Sequence, residues 1–219
     1  MLREALCMTC RRTVYRGEGE DAACPVCSSP LFITQDVAHV VEDAGPASEA
    51  ARLQAVRRYE ILDTPPDGAF DRIAALAARL LRTPIATMAI VDTDRVWFKA
   101  KHGVDATAVD RGPGLCASAI MQYEPLIVED ASLDSAALHN KLVTGELGLR
   151  FYAGVPLTTA DGYNLGTLNV IDVEPRTIAQ EETEILRDLA TIVMDELELR
   201  LAARRLYRRA AESGVDLSA

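Results

Sequence analysis

Phe151-Tyr-Ala-Gly-Val-Pro-Leu157 and Leu165-Gly-Thr-Leu-Asn-Val-Ile171 are two apolar runs of strand length, joined through the turn pair Asp161-Gly162. Upstream, Ile85 to Val91 forms another continuous apolar run. Asp92-Thr-Asp-Arg95 then reads as a hairpin turn into Val96-Trp-Phe-Lys-Ala100. Leu115 to Met121 predicts a short helix and Leu126-Ile-Val128 a short buried strand, while 130–144 reads as a long mixed connection. Helical periodicity flanks this strand-rich centre. Leu53, Val56 and Tyr59 share one face of a helix from Ser48, stopped at Thr64-Pro65-Pro66 because proline keeps its predecessor out of the helical region. Phe70, Ile73, Ala74, Ala77, Leu80 and Leu81 mark a second helix, ended by Thr83-Pro84. Ile185, Leu189, Ile192, Leu197 and Leu201 stripe a long final one. Thr177 and Gln180 form its expected capping box, and Arg204, Arg205, Arg208 and Arg209 crowd its end as a solvated face. The class is α+β.

Four of the five cysteines fall in the first thirty residues, as Cys7-Met-Thr-Cys10 and Cys24-Pro-Val-Cys27. Two such turns supply two pairs of thiolates, the tetrahedral set that zinc prefers. Residues 11–23 between them suffice for a hairpin, with Thr13-Val-Tyr15 and Leu31-Phe-Ile33 as β-prone runs. A site of four cysteines has no open position, so its expected role is structural Zn2+, and metal binding would supply the folding energy of so small a unit. The expected organisation is a zinc-ribbon-like knuckle over 1–40, a linker over 41–47, the main α+β domain with its flanking helices over 48–203, and a basic helix end with a disordered tail over 204–219.

The formal charge of −10 disfavours nucleic acid or an anionic membrane as general partners. The N-terminus lacks the apolar stretch of a signal peptide, and no run approaches the ~18 apolar residues of a spanning helix. A cytoplasmic protein is expected.

Tyr59-Glu-Ile-Leu-Asp-Thr-Pro-Pro-Asp67, Pro84-Ile-Ala86, Val96-Trp-Phe-Lys99, Leu142-Val-Thr-Gly145, Arg150-Phe-Tyr-Ala-Gly154, Asp161-Gly-Tyr163 and Leu165-Gly-Thr-Leu-Asn-Val-Ile-Asp172 follow one another along the chain. In that order they resemble GAF domains of bacterial sensor kinases and cyclic di-GMP enzymes, over roughly 47–203. The resemblance implies an antiparallel sheet of about six strands flanked by helices. It further implies a small-molecule pocket on one face and dimerisation through the first and last helices. Where that subfamily commonly carries Phe-Cys-x-His, this chain has Leu115-Cys116-Ala117-Ser118; Asn169 stands where cysteine is frequent.

The resulting candidate ligand-binding residues are Trp97, Cys116, Ser118, His139, Phe151, Tyr152 and Asn169. Ordinary roles compete for each: Cys116 as a small buried residue, Trp97, Phe151 and Tyr152 as core, and His139 as a surface histidine. No phosphate loop, nucleophilic triad or acid/base pair is evident, so no catalytic residue and no enzyme activity is expected. The expected function is a regulatory module that senses a small molecule or relays conformation to a separate signalling protein, as a homodimer. The alternatives are a zinc-dependent adaptor using the sensor domain as scaffold, and a reductase of free methionine sulfoxide. The latter would need an attacking and a resolving cysteine, and Cys116 stands alone in its domain.

Overall fold

A computed structural model of the chain describes residues 3–7, 13–16, 31–36, 49–112 and 114–213. The chain divides into two compact units, Met1–Ala47 and Ser48–Ala219. In the first, strands β1 (Arg3–Cys7), β2 (Thr13–Arg16) and β3 (Leu31–Asp36) form an antiparallel sheet in the order β2-β1-β3. Cys7 closes β1 opposite Leu31. Cys10, Cys24, Cys27 and the expected linker lie outside the described residues.

The second unit is built on a six-stranded antiparallel sheet. Its strands are β4 (Ile85–Val91), β5 (Arg95–His102), β6 (Ala108–Asp110), β7 (Leu126–Val128), β8 (Phe151–Thr158) and β9 (Asn164–Asp172), in the order β6-β5-β4-β9-β8-β7. Helices α1 (Glu49–Arg58), α2 (Gly68–Leu81) and α5 (Gln180–Glu212), with the short α3 (Leu115–Ala119) and α4 (Lys141–Thr144), complete it. Strand alternation sorts the side chains between two faces. Phe151, Ala153, Val155 and Leu157 of β8, with Met88 and Ile90 of β4, enter one large cluster with Phe70, Ala74 and Leu81 of α2 and Leu186, Val193 and Leu197 of α5. Each large side chain buried there contributes about 1.5–3 kcal/mol. Tyr152 and Ile171 point the other way, to a second cluster with Leu115, Val143 and Leu149 beneath α3 and α4.

Several boundaries differ from expectation. Helix α1 stops at Arg58 rather than running to the prolines, and the connector to α2 places Glu60 (φ 47°) and Asp63 (φ 56°) in the left-handed region. The carboxylates of both residues pair with arginines elsewhere: Glu60 with Arg208, and Asp63 with Arg95 at 2.6 Å. Helix α5 starts at Gln180 instead of just after Thr177, with Glu182 reaching back to the Ala179 N–H at 2.9 Å. Its basic end is only partly a solvated face. Arg204 donates to the Tyr59 carbonyl at 2.6 Å, so this arginine and Arg208 strap the connector to the helix. Helix α4 emerges from the end of the segment that reads as a mixed connection, and β6 is an edge strand that the sequence reading does not include. No helix among the described residues is long and apolar enough to cross a membrane.

Candidate functional site

The sheet face away from α1, α2 and α5 carries a cavity of about 560 Å³, roofed by α3 and by the segment around α4. That volume is of the size that small-molecule sites occupy. Its back wall is set by strand register. Thr87 of β4 pairs with Asn169 of β9, so both side chains leave the sheet side by side, and the Thr87 hydroxyl donates to Asn169 Oδ1 at 2.8 Å. Asn169 Nδ2 donates to Thr167 Oγ1 at 2.9 Å and makes a longer contact of 3.7 Å to Cys116 Sγ. A fully buried amide is thereby satisfied at both ends.

Tyr152 reaches the same sulfur, its hydroxyl 3.6 Å from Cys116 Sγ. The ring can lie along β8 because residue 154 is glycine: a Cβ there would stand 2.2 Å from the tyrosine oxygen. Burial pushes both the Cys116 thiol and the Tyr152 phenol up from their ordinary values. Both are therefore protonated at neutral pH, and Cys116 offers no thiolate for nucleophilic attack.

The mouth is more polar. Arg111, Lys141, His139, Asn140 and Asp110 border it, over walls that include Phe98, Val109, Leu142 and Leu149. Arg111 Nη1 donates to Glu49 Oε1 of α1 at 2.6 Å and to the Asp92 carbonyl at 2.9 Å. Hydrogen bonds from Arg52 first, and also from Arg111, hold the Glu49 carboxyl down at about 2. Asn140 caps α4 by accepting from the Leu142 N–H at 2.8 Å, which fixes Lys141 at the start of the helix and His139 just before the cap.

Of the candidate residues, Cys116, His139, Tyr152 and Asn169 come together around this cavity. Trp97 and Phe151 do not. Both belong to the cluster under the helices, and their neighbours Phe98 and Tyr152 face the cavity instead, as alternation requires. Ser118 is exposed on α3 and lines no part of the cavity. Thr87, Phe98, Arg111, Asn140 and Lys141 were missing from the sequence reading. Phe98 follows from the alternation with Trp97, and Thr87 from the β4–β9 pairing; Arg111 carried no local signal. Among the described residues no group of histidine, cysteine or acidic side chains is placed to hold a metal ion.

The GAF domain profile matches residues 65–197, which include every strand of this sheet and all of α2, α3 and α4. The chain belongs to the GAF domain family. A Pseudomonas aeruginosa protein named as a cyclic di-GMP phosphodiesterase is 41% identical over 150 residues, which are 68% of this chain and 26% of that protein. The GAF chain thus spans about a quarter of that relative's length. Two solved structures share the fold. The GAF domain of an Acinetobacter phosphoenolpyruvate-protein phosphotransferase matches with a TM-score of 0.51 at 17% identity, over 72% of this chain and 94% of that one. The free methionine-R-sulfoxide reductase of Neisseria meningitidis matches with a TM-score of 0.50 at 20% identity, over 74% and 95%. The relationship is to a signalling and regulatory module, and one expectation is corrected by it. The absence of enzyme activity, expected because the sequence holds no catalytic motif, does not stand: the relative most of this chain aligns with carries an enzyme's name.

Proposed function

We propose that this chain is a regulatory GAF module acting in cyclic di-GMP turnover, which senses a small molecule in the cavity behind α3 and α4. The observation that carries the reading is the cavity itself, about 560 Å³, lined by apolar side chains with a few convergent polar groups. The name of the Pseudomonas relative supports the signalling context. Output is read by a partner surface on α5, whose Ile192, Leu199 and Leu206 recur at seven-residue intervals and are exposed. A second copy of the chain is the occupant that this heptad spacing favours, with a separate signalling protein downstream. A structural Zn2+ on Cys7, Cys10, Cys24 and Cys27 belongs to the same reading, supported by the two Cys-x-x-Cys spacings.

Native mass spectrometry of protein purified from its host tests this directly. The expected spectrum is a dimer carrying one retained small molecule and one zinc per chain. A ligand-free protein whose thermal stability no metabolite extract shifts would overturn the sensing role.

A further inference from the structure

We infer that the cavity takes a small carboxylate-bearing molecule with an apolar body, which draws Arg111 away from Glu49 and so releases the start of helix α1. This rests on the sensing role proposed above and adds both a ligand class and a route out of the cavity.

The charges at the mouth suggest the class. Arg111 and Lys141 stand against Asp110, leaving one positive charge in excess. Lys141 and Asp110 pair at 3.3 Å, but their side chains are 89% and 85% exposed, so that pair binds weakly and is easily rearranged. The excess charge is met by Glu49, which is not part of the cavity wall. A singly charged anion entering the cavity would replace that charge one for one. The walls beneath the mouth, Phe98, Val109 and Leu149 among them, favour an apolar body.

The geometry of Arg111 makes the exchange feasible. All its side-chain hydrogen bonds among the described residues run through Nη1, so Nε and Nη2 can take the first hold on a carboxylate in the two-pronged manner guanidinium favours, and the Nη1 bond to Glu49 is given up as the guanidinium turns into the cavity to meet it. Glu49 is not orphaned by the loss. Arg52 holds it through two bonds of 2.8 Å, and Arg52 lies one turn along the same helix. What is lost is the tie between helix and cavity. Arg111 also donates to the Asp92 carbonyl at the end of β4, so it bridges α1 to the β4–β5 turn. After the exchange, Arg52 still reaches the Asn164 carbonyl at 3.3 Å, but the first turn of α1 has lost its bond to the mouth.

The test uses 2-naphthoate and its neutral isostere 2-naphthamide as probes of the full chain, with calorimetry for affinity and hydrogen exchange for α1. Naphthoate should bind at least about tenfold tighter than the amide, the worth of one hydrogen bond to a charged group. It should also speed exchange of the 49–58 amides. Arg111→Gln should erase the difference between the probes. Glu49→Gln, which removes the competitor, should tighten naphthoate alone, because coupling between two occupants of one arginine is reciprocal. Equal binding of the two probes overturns the carboxylate assignment and leaves the sensing role intact. Preferred naphthoate binding with unaltered α1 exchange, or with no effect of Glu49→Gln, overturns the release. If neither probe binds while the purified protein retains a neutral molecule, this inference alone falls; if neither binds and nothing is retained, the sensing role falls with it.

Discussion

Arg200 of α5 donates to Asp67 Oδ2 at 2.6 Å while the other oxygen of the same carboxylate caps α2 through the Ala69 N–H at 3.0 Å. One side chain thus starts one helix and fastens it to another, and the Arg200 guanidinium sits 4.6 Å from the centre of the Phe70 ring. Asp67→Ala should cost about 1–2 kcal/mol, the range for losing a helix cap, with the midpoint of urea unfolding as the measurement. Arg200→Gln keeps the cap and should cost less.

The same carboxylate sets a pH dependence. The hydrogen bond from Arg200 holds the Asp67 carboxyl down at about 2, against roughly 3.9 in an unfolded chain. A depressed carboxyl stabilises the fold fully above the unfolded value and loses that contribution as pH falls towards the folded one. Wild-type stability should therefore drop between about pH 4 and pH 2, and the drop should be shallower in Asp67→Asn. Urea midpoints taken across that range would show an unchanged slope if the pair contributed nothing.

Gly154 is where the back wall is most easily broken. A methyl group there collides with Tyr152 along the ring edge and hydroxyl, at 2.2 to 2.8 Å. Gly154→Ala should cost about 1–3 kcal/mol, as overpacking does, and swing the ring off Cys116. In a Tyr152→Leu background the same change should cost clearly less, because the obstructing atoms are gone. Additive losses in that double-mutant cycle would show that the glycine is needed for something other than the ring.

Thr87→Val removes the donor to Asn169 Oδ1 while keeping the shape of the side chain. Asn169 is fully buried, so the stranded acceptor should cost about 1–3 kcal/mol in unfolding free energy. A cost within error would mean that another donor reaches that oxygen.

How far the sequence carries depends on the range of the interaction. The pairing of β8 with β9 and most of the buried face of α2 were legible, because periodicity is local and repeats along each element; Leu80 and Ile192 kept the helical period yet are 46% and 51% exposed, and Leu186 and Val193 carry the buried face of α5 instead. Periodicity also required Trp97 and Phe98 to face opposite ways, but not which faced the cavity. Alternation from Trp97 puts Lys99 on the helix side, where its Nζ donates to Thr64 Oγ1 at 2.8 Å and the Pro65 carbonyl at 2.6 Å, and the register slip between Met88 and Ala89 breaks the period so that Ala100 joins the same cluster. Arg111 shows the limit for the site. Its carboxylate partner lies 62 residues away, and nothing near either residue signals the pair. Thr177-Gln180 met a valid capping rule and was bypassed, because Glu182 satisfies the Ala179 N–H a turn later.

The seven-residue recurrence of Ile192, Leu199 and Leu206 bears on assembly. These side chains are 51%, 66% and 65% exposed, Ile192 and Leu199 beside Ile73 and Leu76 of α2, and the proposed second copy would bury them. An isologous pairing would set each stripe against its copy, as a coiled-coil seam does, so a charge at the middle position meets its own symmetry mate. For the dimer proposed above, Leu199→Glu should therefore shift sedimentation to the monomer. Because Leu199 supports little within the protomer, unfolding of the monomeric variant should stay within about 0.5 kcal/mol of the wild-type protomer. A variant that still sediments as a dimer would move the interface away from this stripe, and one that unfolds would show that Leu199 packs inside its own chain.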